Sequence, residues 1–201
     1  ALLQGEERER NRVARDVHDG LGGMLAGIKM KLSAETQDEL SKRPGMEKVM
    51  GQLDNSITEL RRIARNMMPE MLARAGLQAA LQDLCESLSS RQVKIQHEFI
   101  QVNKEIEPSK QMVIYRIIQE LLSNAIKHAE ADNIYLQCSQ NKNVFFITVE
   151  DDGKGFESSQ PGKGMGLENI RNRVDYLHGK MELSSAPNEG TTINIEVDVS
   201  R

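Results

Sequence analysis

Apolar residues recur at intervals of three and four through Val13, Val17, Leu21, Met24, Leu25, Ile28 and Leu32, and residues 2–38 hold no Pro, so the pattern predicts one long helix with an apolar stripe. Ser41–Gly45, with its Pro44-Gly45 pair, breaks it. A second stripe runs through Met46, Val49, Met50, Leu53, Ile57, Leu60, Ile63, Ala64 and Met67 and stops before Pro69. Two helices joined this way form a hairpin. Standing alone it leaves apolar surface in water, whereas two hairpins sharing a core make a four-helix bundle. The pattern therefore predicts a homodimer formed through the helical hairpin.

From Pro69 to Gly76 the pattern turns irregular, which divides the chain into a hairpin domain over 1–68, a linker over 69–76 and a second domain over 77–201. Within the second domain, periodicity predicts helices at Leu77–Ser90, Ser109–Ala129 and Leu167–Leu177. Strands are predicted at Val93–Ile100, Asn133–Ser139, Val144–Glu150, Lys180–Ser185 and Thr191–Val199. Runs such as Val144, Phe145, Phe146, Ile147 and Val149 suit a half-buried sheet. The expected fold class is α plus α/β: a dimeric helical bundle followed by an α/β sandwich with helices on one face.

Composition narrows the partners. At 201 residues the chain holds one or two domains. Its 26 Lys and Arg against 30 Asp and Glu give a net charge of −4, which argues against direct nucleic-acid binding because phosphates require a basic face. No run approaches the roughly 20 apolar residues that span a bilayer, so no membrane contact is expected of this fragment. Cys85 and Cys138 lie far apart in sequence, with neither metal-ligand nor disulfide spacing, and a reducing cytoplasm is expected. Because Ala1-Leu2-Leu3 runs straight into a helical pattern, an upstream segment is expected, through which a parent protein could be anchored to a membrane.

Four segments carry groups suited to chemistry. His18 lies in Ala14-Arg15-Asp16-Val17-His18-Asp19-Gly20-Leu21-Gly22-Gly23, one residue off the apolar stripe. An imidazole titrates near ~6.5 in water, so at pH 7 most copies keep a ring nitrogen able to attack phosphorus, with Asp19 placed to orient the ring or take its proton. The same pair also reads as a solvated His beside an Asp paired to Arg15. Gly20, Gly22, Gly23 and Gly27 weaken the helix here, either for close helix packing or as a hinge. In the second segment Glu120, Asn124 and Lys127 share one border of the 109–129 helix, with His128 beside them. Oxygen donors and a cation together suit a magnesium triphosphate, or else form a polar helix edge. Last, Asp151-Asp152-Gly153-Lys154-Gly155-Phe156 follows a strand with an acceptor and two glycines, and Gly162-Lys163-Gly164-Met165-Gly166-Leu167 opens a helix whose N–H groups can hold phosphate oxygens. Each glycine stretch alone also reads as a turn.

Taken in order, these segments resemble the catalytic core of bacterial sensor histidine kinases, in the subfamily of nitrate and thermosensor kinases paired with helix-turn-helix response regulators. Glu9 to Asp19 resembles that subfamily's phosphoacceptor box. Ile63-Ala64-Arg65-Asn66-Met67-Met68-Pro69 with Gly76-Leu77-Gln78-Ala79-Ala80-Leu81 is similar to its hairpin exit, and Glu120 to Ala129 to its N box. The two glycine-rich stretches resemble the boxes flanking an ATP lid, and Gly190-Thr191-Thr192 the final Gly-Thr of the Bergerat, GHKL-type ATP-binding fold.

The resemblance implies an ATP-dependent histidine autokinase using ATP and Mg²⁺. His18 would take the γ-phosphoryl group with Asp19 as assisting base, and an Asp of a response regulator would receive it afterwards. Asn124 would ligate Mg²⁺, and Glu120 stands at the catalytic edge of the same box. Asp151 would read adenine with support from Thr191, beside Gly153 and Gly155, while Lys127, His128 and the loop of Lys163, Gly164, Met165, Gly166 and Leu167 would serve the nucleotide. Where that subfamily commonly carries a Gln that dephosphorylates the regulator, this chain has Gly23, which implies little phosphatase action by that route. Asp152 stands where Asn is common and adds negative charge near the lid. The alternatives are a Bergerat-fold ATPase in which Glu120 activates water, a Ser/Thr kinase of that fold, and a non-catalytic ATP-binding dimerisation module.

Overall fold

The computed structural model of the chain describes residues 5, 9, 12–13, 17–35, 44–67, 70–102, 106–157 and 165–200. They fall into two compact units, Ala1–Glu70 and Met71–Arg201.

The first unit is a helical hairpin. A π-helical turn at Val17–Gly22 leads into α1, Gly23–Glu35, and α2 spans Pro44–Met67. Pro44 and Gly45 thus belong to the first turn of α2 rather than to the break, as suits a residue whose fixed φ and missing N–H cost nothing there; residues 41–43 of the expected break lie outside the described residues. The π turn departs from the regular helix that periodicity predicts. Three glycines within four positions, Gly20, Gly22 and Gly23, make the regular ladder less favourable there, and one wider turn is the outcome. Gly22 lets the Leu60 side chain approach, whereas a Cβ at Gly20, Gly23 or Gly27 would meet nothing within 4 Å, so packing inside one hairpin does not explain these three. Ile57 is buried, and Lys29 pairs with Asp54 across the helices. Leu21 of the π turn and Met24, Ile28 and Met30 of α1 remain exposed, so α1 is apolar on more than one side.

At the start of the second unit lies α3, Glu70–Ala75, whose first residue is the last of the first unit, where the sequence reading expects an irregular linker. Its residues are mostly strong helix formers and Leu72 is buried in the core, so one short turn forms before Gly76 at φ 83 ends it. There follow α4 (Leu77–Leu88), β1 (Lys94–Ile100), α5 (Pro108–Asn124) with a π turn at Ala125–Ala129, β2 (Asn133–Asn141), β3 (Val144–Asp151), α6 (Met165–Tyr176), β4 (Lys180–Ser185) and β5 (Thr191–Asp198).

The sheet order is β1-β2-β3-β5-β4, with β1 and β2 parallel and the other pairs antiparallel. Alternation along the strands sends Ile134, Leu136 and Cys138, then Phe145, Ile147 and Val149, then Ile193, Ile195 and Val197 into one core. Leu81, Leu84, Ile114, Ile117, Ile118, Leu121, Ile170, Val174 and Leu177 cover that face from the helices. The opposite face carries Tyr135, Gln137 and Glu98, mutually hydrogen-bonded, and Thr148 bonded to Asn194. Both cysteines are unpaired and buried; burial pushes the Cys85 thiol up to about 12 and the Cys138 thiol up as well, so both stay protonated.

Turns at one end of the sheet are assembled with no clearance. Gly190, at φ 74, precedes β5, and a Cβ there would fall 2.0 Å from the Asp151 carbonyl oxygen. Gly190→Ala therefore incurs both left-handed strain and a backbone clash. It should destabilise the second unit by roughly 2–4 kcal/mol in urea denaturation; a loss under about 0.5 kcal/mol would show that the turn can open.

Candidate functional site

A cavity of about 270 Å³ opens where β3, β5 and β4 meet the helical layer. Leu121, Asn124, Ala125, His128 and Ala129 line it from α5 and the π turn; Val149 and Asp151 do so from β3, and Gly155 and Phe156 from the segment after it. Gly166 and Leu167 of α6, Leu183 of β4, and Thr191 and Ile193 of β5 complete the wall. The lining is mostly apolar with a few polar groups converging on it, the composition of a small-molecule site.

Asp151 is the polar anchor. It ends β3 on the face that carries Val149 and Ile147, so alternation turns its carboxylate inward, where it is only 8% exposed. Burial pushes its carboxyl above the ordinary 3.8, while the backbone amides of Gly153, 3.0 Å from Oδ1, and Thr191 oppose the rise. A buried carboxylate lining an apolar cavity is an acceptor seeking a donor.

The next residues stitch this strand end to the end of the α5 π turn. Asp152 accepts from the amides of Asp132 and Asn133, both at 2.9 Å, and from Asn133 Nδ2 at 2.7 Å. These donors hold its carboxyl below the usual range. The Asp152 carboxylate, which the sequence reading expects to add negative charge near the lid, is thus held ionised by three N–H groups at the start of β2. Gly153 abuts Ala129, whose carbonyl oxygen a Cβ would meet at 2.2 Å. Lys154 donates its amide to that same carbonyl at 2.7 Å and its ammonium to Glu130 at 2.7 Å.

On the helical side, Gly166 in the first turn of α6 allows a close approach. A Cβ there would lie 2.8 Å from Glu120 Oε1 and 3.2 and 3.3 Å from the two amide atoms of Asn124. The two polar side chains predicted on one border of α5 therefore rest against the backbone at the start of α6. The described part of this helix includes Met165 and Gly166, two residues ahead of the periodic pattern.

Of the residues singled out by sequence, Asn124, His128, Asp151, Gly155, Gly166, Leu167 and Thr191 line one cavity, and Glu120 adjoins it through Gly166. Gly153 sits behind the wall, and Lys127 is exposed on the π turn without lining the cavity. Lys163 and Gly164 lie outside the described residues, as does the Met165 side chain. His18 and Asp19 are in the π turn Val17–Gly22, with their side chains outside the described residues.

Sequence reasoning missed Phe156 and Leu183 in the wall, and it missed Ser185. The Ser185 hydroxyl meets the Phe156 amide at 2.9 Å, the Gly190 carbonyl at 2.9 Å and Thr191 Oγ1 at 3.1 Å. Val149 and Ile193 could have been found from strand alternation next to Asp151 and Thr191. Ser185 could not, because its place follows from the β4–β5 register.

Comparison with known proteins agrees with this geometry. Residues 109–201 match the family described as histidine kinase-, DNA gyrase B-, and HSP90-like ATPase, and residues 9–72 match a family described as histidine kinase. The signal transduction histidine-protein kinase/phosphatase DegS of Brevibacillus brevis is 25% identical over 208 residues, covering 99% of this chain and 53% of its own length. The oxygen sensor histidine kinase NreB of Staphylococcus carnosus (strain TM300) is 25% identical over 203 residues, covering 98% of this chain and 58% of its own. The chain thus spans little more than half of these curated relatives. Among solved structures, the blue-light activated histidine kinase of Erythrobacter litoralis EL346 shares the fold, with a TM-score of 0.58 at 20% identity over 88% of this chain and 60% of that one. Among the described residues, no helix is long and apolar enough to cross a membrane.

The burial of Asp151 has a consequence for stability. Folded, the carboxyl holds its proton more tightly than unfolded, so its contribution is most favourable below 3.8 and is lost as pH rises through the raised value. Asp151→Asn should therefore raise the urea midpoint at pH 7 and give no gain below about pH 3, where the wild-type group is protonated in both states. A lower midpoint at pH 7 would show that the amides outweigh burial.

Proposed function

The chain belongs to the histidine kinases, and from that premise we propose that it is the catalytic core of a two-component sensor kinase, which phosphorylates His18 from ATP and passes the phosphoryl group to an Asp of a response regulator. One observation carries the nucleotide half: Asn124 and Asp151, from separate sequence motifs, line the same cavity within the residues that match the ATPase family.

The cavity's donor set fits ATP. Asp151 accepts from an exocyclic amino group, and Leu121, Val149, Leu183, Ile193 and Phe156 enclose a flat base in apolar contact. Among the described residues no three His, Cys, Asp or Glu side chains converge as a metal site. Mg²⁺ would therefore take Asn124 together with phosphate oxygens of the nucleotide, supplying charge neutralisation at the transferring group. Lys127 and His128 bring basic groups to the phosphate side of the π turn, and the first-turn N–H groups of α6 favour an anion there. At the other unit, a ring nitrogen of His18 forms the bond to the γ-phosphorus as the bond to the bridging oxygen breaks and ADP departs with that electron pair. Asp19 takes the proton that the imidazole gives up. In the second transfer the phosphoryl group leaves the imidazole for a regulator carboxylate. With Gly23 lacking any side chain to orient water, regulator dephosphorylation by this chain is weak.

The hairpin supports a homodimer. A helix that is apolar on several sides belongs in a buried setting. Within one hairpin α1 turns only part of its surface to α2, and Leu21 of the π turn with Met24 and Ile28 of α1 stay exposed at spacings of three and four. A second copy covers that stripe and completes a four-helix bundle.

Two measurements test the proposal. Incubation with γ-labelled ATP and Mg²⁺ should give an acid-labile, base-stable label that His18→Gln erases and Asn124→Ala lowers by roughly 100-fold or more. Phosphate release without label, or an acid-stable label, would instead identify an ATPase or a hydroxyl kinase. Separately, Leu21→Glu with Met24→Glu should convert the dimer to monomers in light scattering; an unchanged mass would place the dimer contact elsewhere.

A further inference from the structure

Ser185 closes β4 and stands opposite Thr191 in the β4–β5 ladder. Its hydroxyl oxygen has the three partners already given, and their chemistry fixes the direction of each bond. The Phe156 amide can only donate, the Gly190 carbonyl can only accept, and a hydroxyl has one proton and two lone pairs. The Ser185 proton therefore goes to Gly190, one lone pair receives the Phe156 N–H, and the bond with Thr191 requires the Thr191 hydroxyl to be the donor.

Thr191 lines the cavity beside Asp151, its direct partner across β3 and β5. With its proton committed to Ser185, Thr191 Oγ1 offers a cavity ligand only lone pairs. Asp151, an acceptor as well, gives this end of the cavity two acceptors and no hydroxyl donor between them.

We propose that Ser185 is a specificity-determining positioning residue: by holding the Thr191 hydroxyl as an acceptor, it makes the base pocket favour a purine bearing a 6-amino group over one bearing a 6-oxo group. The inference rests on the nucleotide reading above and adds a residue that never touches the ligand. A 6-oxo group in this place sets its lone pairs against those of Thr191 and Asp151, and a buried acceptor left without a donor is costly. Once the Ser185 hydroxyl is removed, the Thr191 O–H can rotate toward the cavity and donate to an oxo group. Asp151 still discriminates, so the loss of preference is partial.

Equilibrium binding of ATP and of GTP to the chain, each with Mg²⁺, tests this directly. Wild type should prefer ATP, Ser185→Ala should reduce the ATP-to-GTP preference by about tenfold, and Ser185→Thr, which keeps the hydroxyl, should retain it. In a Thr191→Val background Ser185→Ala should leave the preference unchanged, since no hydroxyl remains to be released. Equal weakening of both nucleotides in Ser185→Ala would reduce Ser185 to a brace for Phe156 and overturn the assignment, as would an unaltered preference. A wild-type chain that binds neither nucleotide overturns the nucleotide reading as well, which separates the two failures.

Discussion

The second unit depends on keeping one carboxylate out of water at the end of a sheet. Asp151 is costly to bury, and the cost is tolerable only because β5 presents the Thr191 amide and the chain turns back to present that of Gly153. Those amides are in place because β3 sits between β2 and β5 with Asp151 opposite both Ile134 and Thr191. Sliding either strand by one residue would turn Asp151 to the polar face and bring Glu150 inward. The binding chemistry and the sheet register are therefore the same constraint.

Around that carboxylate the molecule holds its helical and sheet layers in fixed relation. Asp152, Gly153 and Lys154 tie the end of β3 to residues 129–133, while Gly166 seats the first turn of α6 on Glu120 and Asn124. Asp151 and the polar side chains on the border of α5 thus belong to one frame around the cavity. This is how a cavity with few polar groups can be selective, since each is aimed before a ligand arrives.

Much of this was legible in the sequence, for reasons that differ by element. The α5 stripe of Ile114, Ile118 and Leu121 has the helical period, which also put Glu120 and Asn124 on a common border. Strand alternation in β3 placed Val149 and Asp151 on one face. What the sequence hides is the pairing of distant residues: the order β1-β2-β3-β5-β4, the pairing of Ser185 with Thr191, and the three N–H groups gathered by Asp152 all arise between residues that are not neighbours in the chain, up to the pair Val144 and Asp198. Local rules also failed at α3, where buried Leu72 organises a stretch that composition left irregular, and at the two π turns, which keep an apolar period while adding a residue to the turn. Both π turns fall on segments that carry candidate chemistry, at His18 and at Lys127-His128, in keeping with the association of such turns with functional sites.

The π turn at Ala125–Ala129 also makes this stretch more sensitive to length than to composition. An α-helix advances about 100° per residue, so one residue fewer here would rotate everything beyond it by that angle. Ala129 would leave the core, and its carbonyl would no longer receive the Lys154 amide. His128 would swing off the cavity rim while every side chain kept its identity. A one-codon deletion in this turn would disable the protein more thoroughly than most point substitutions in it, and homologous chains should conserve the spacing between Asn124 and β2 more strictly than the residues that fill it.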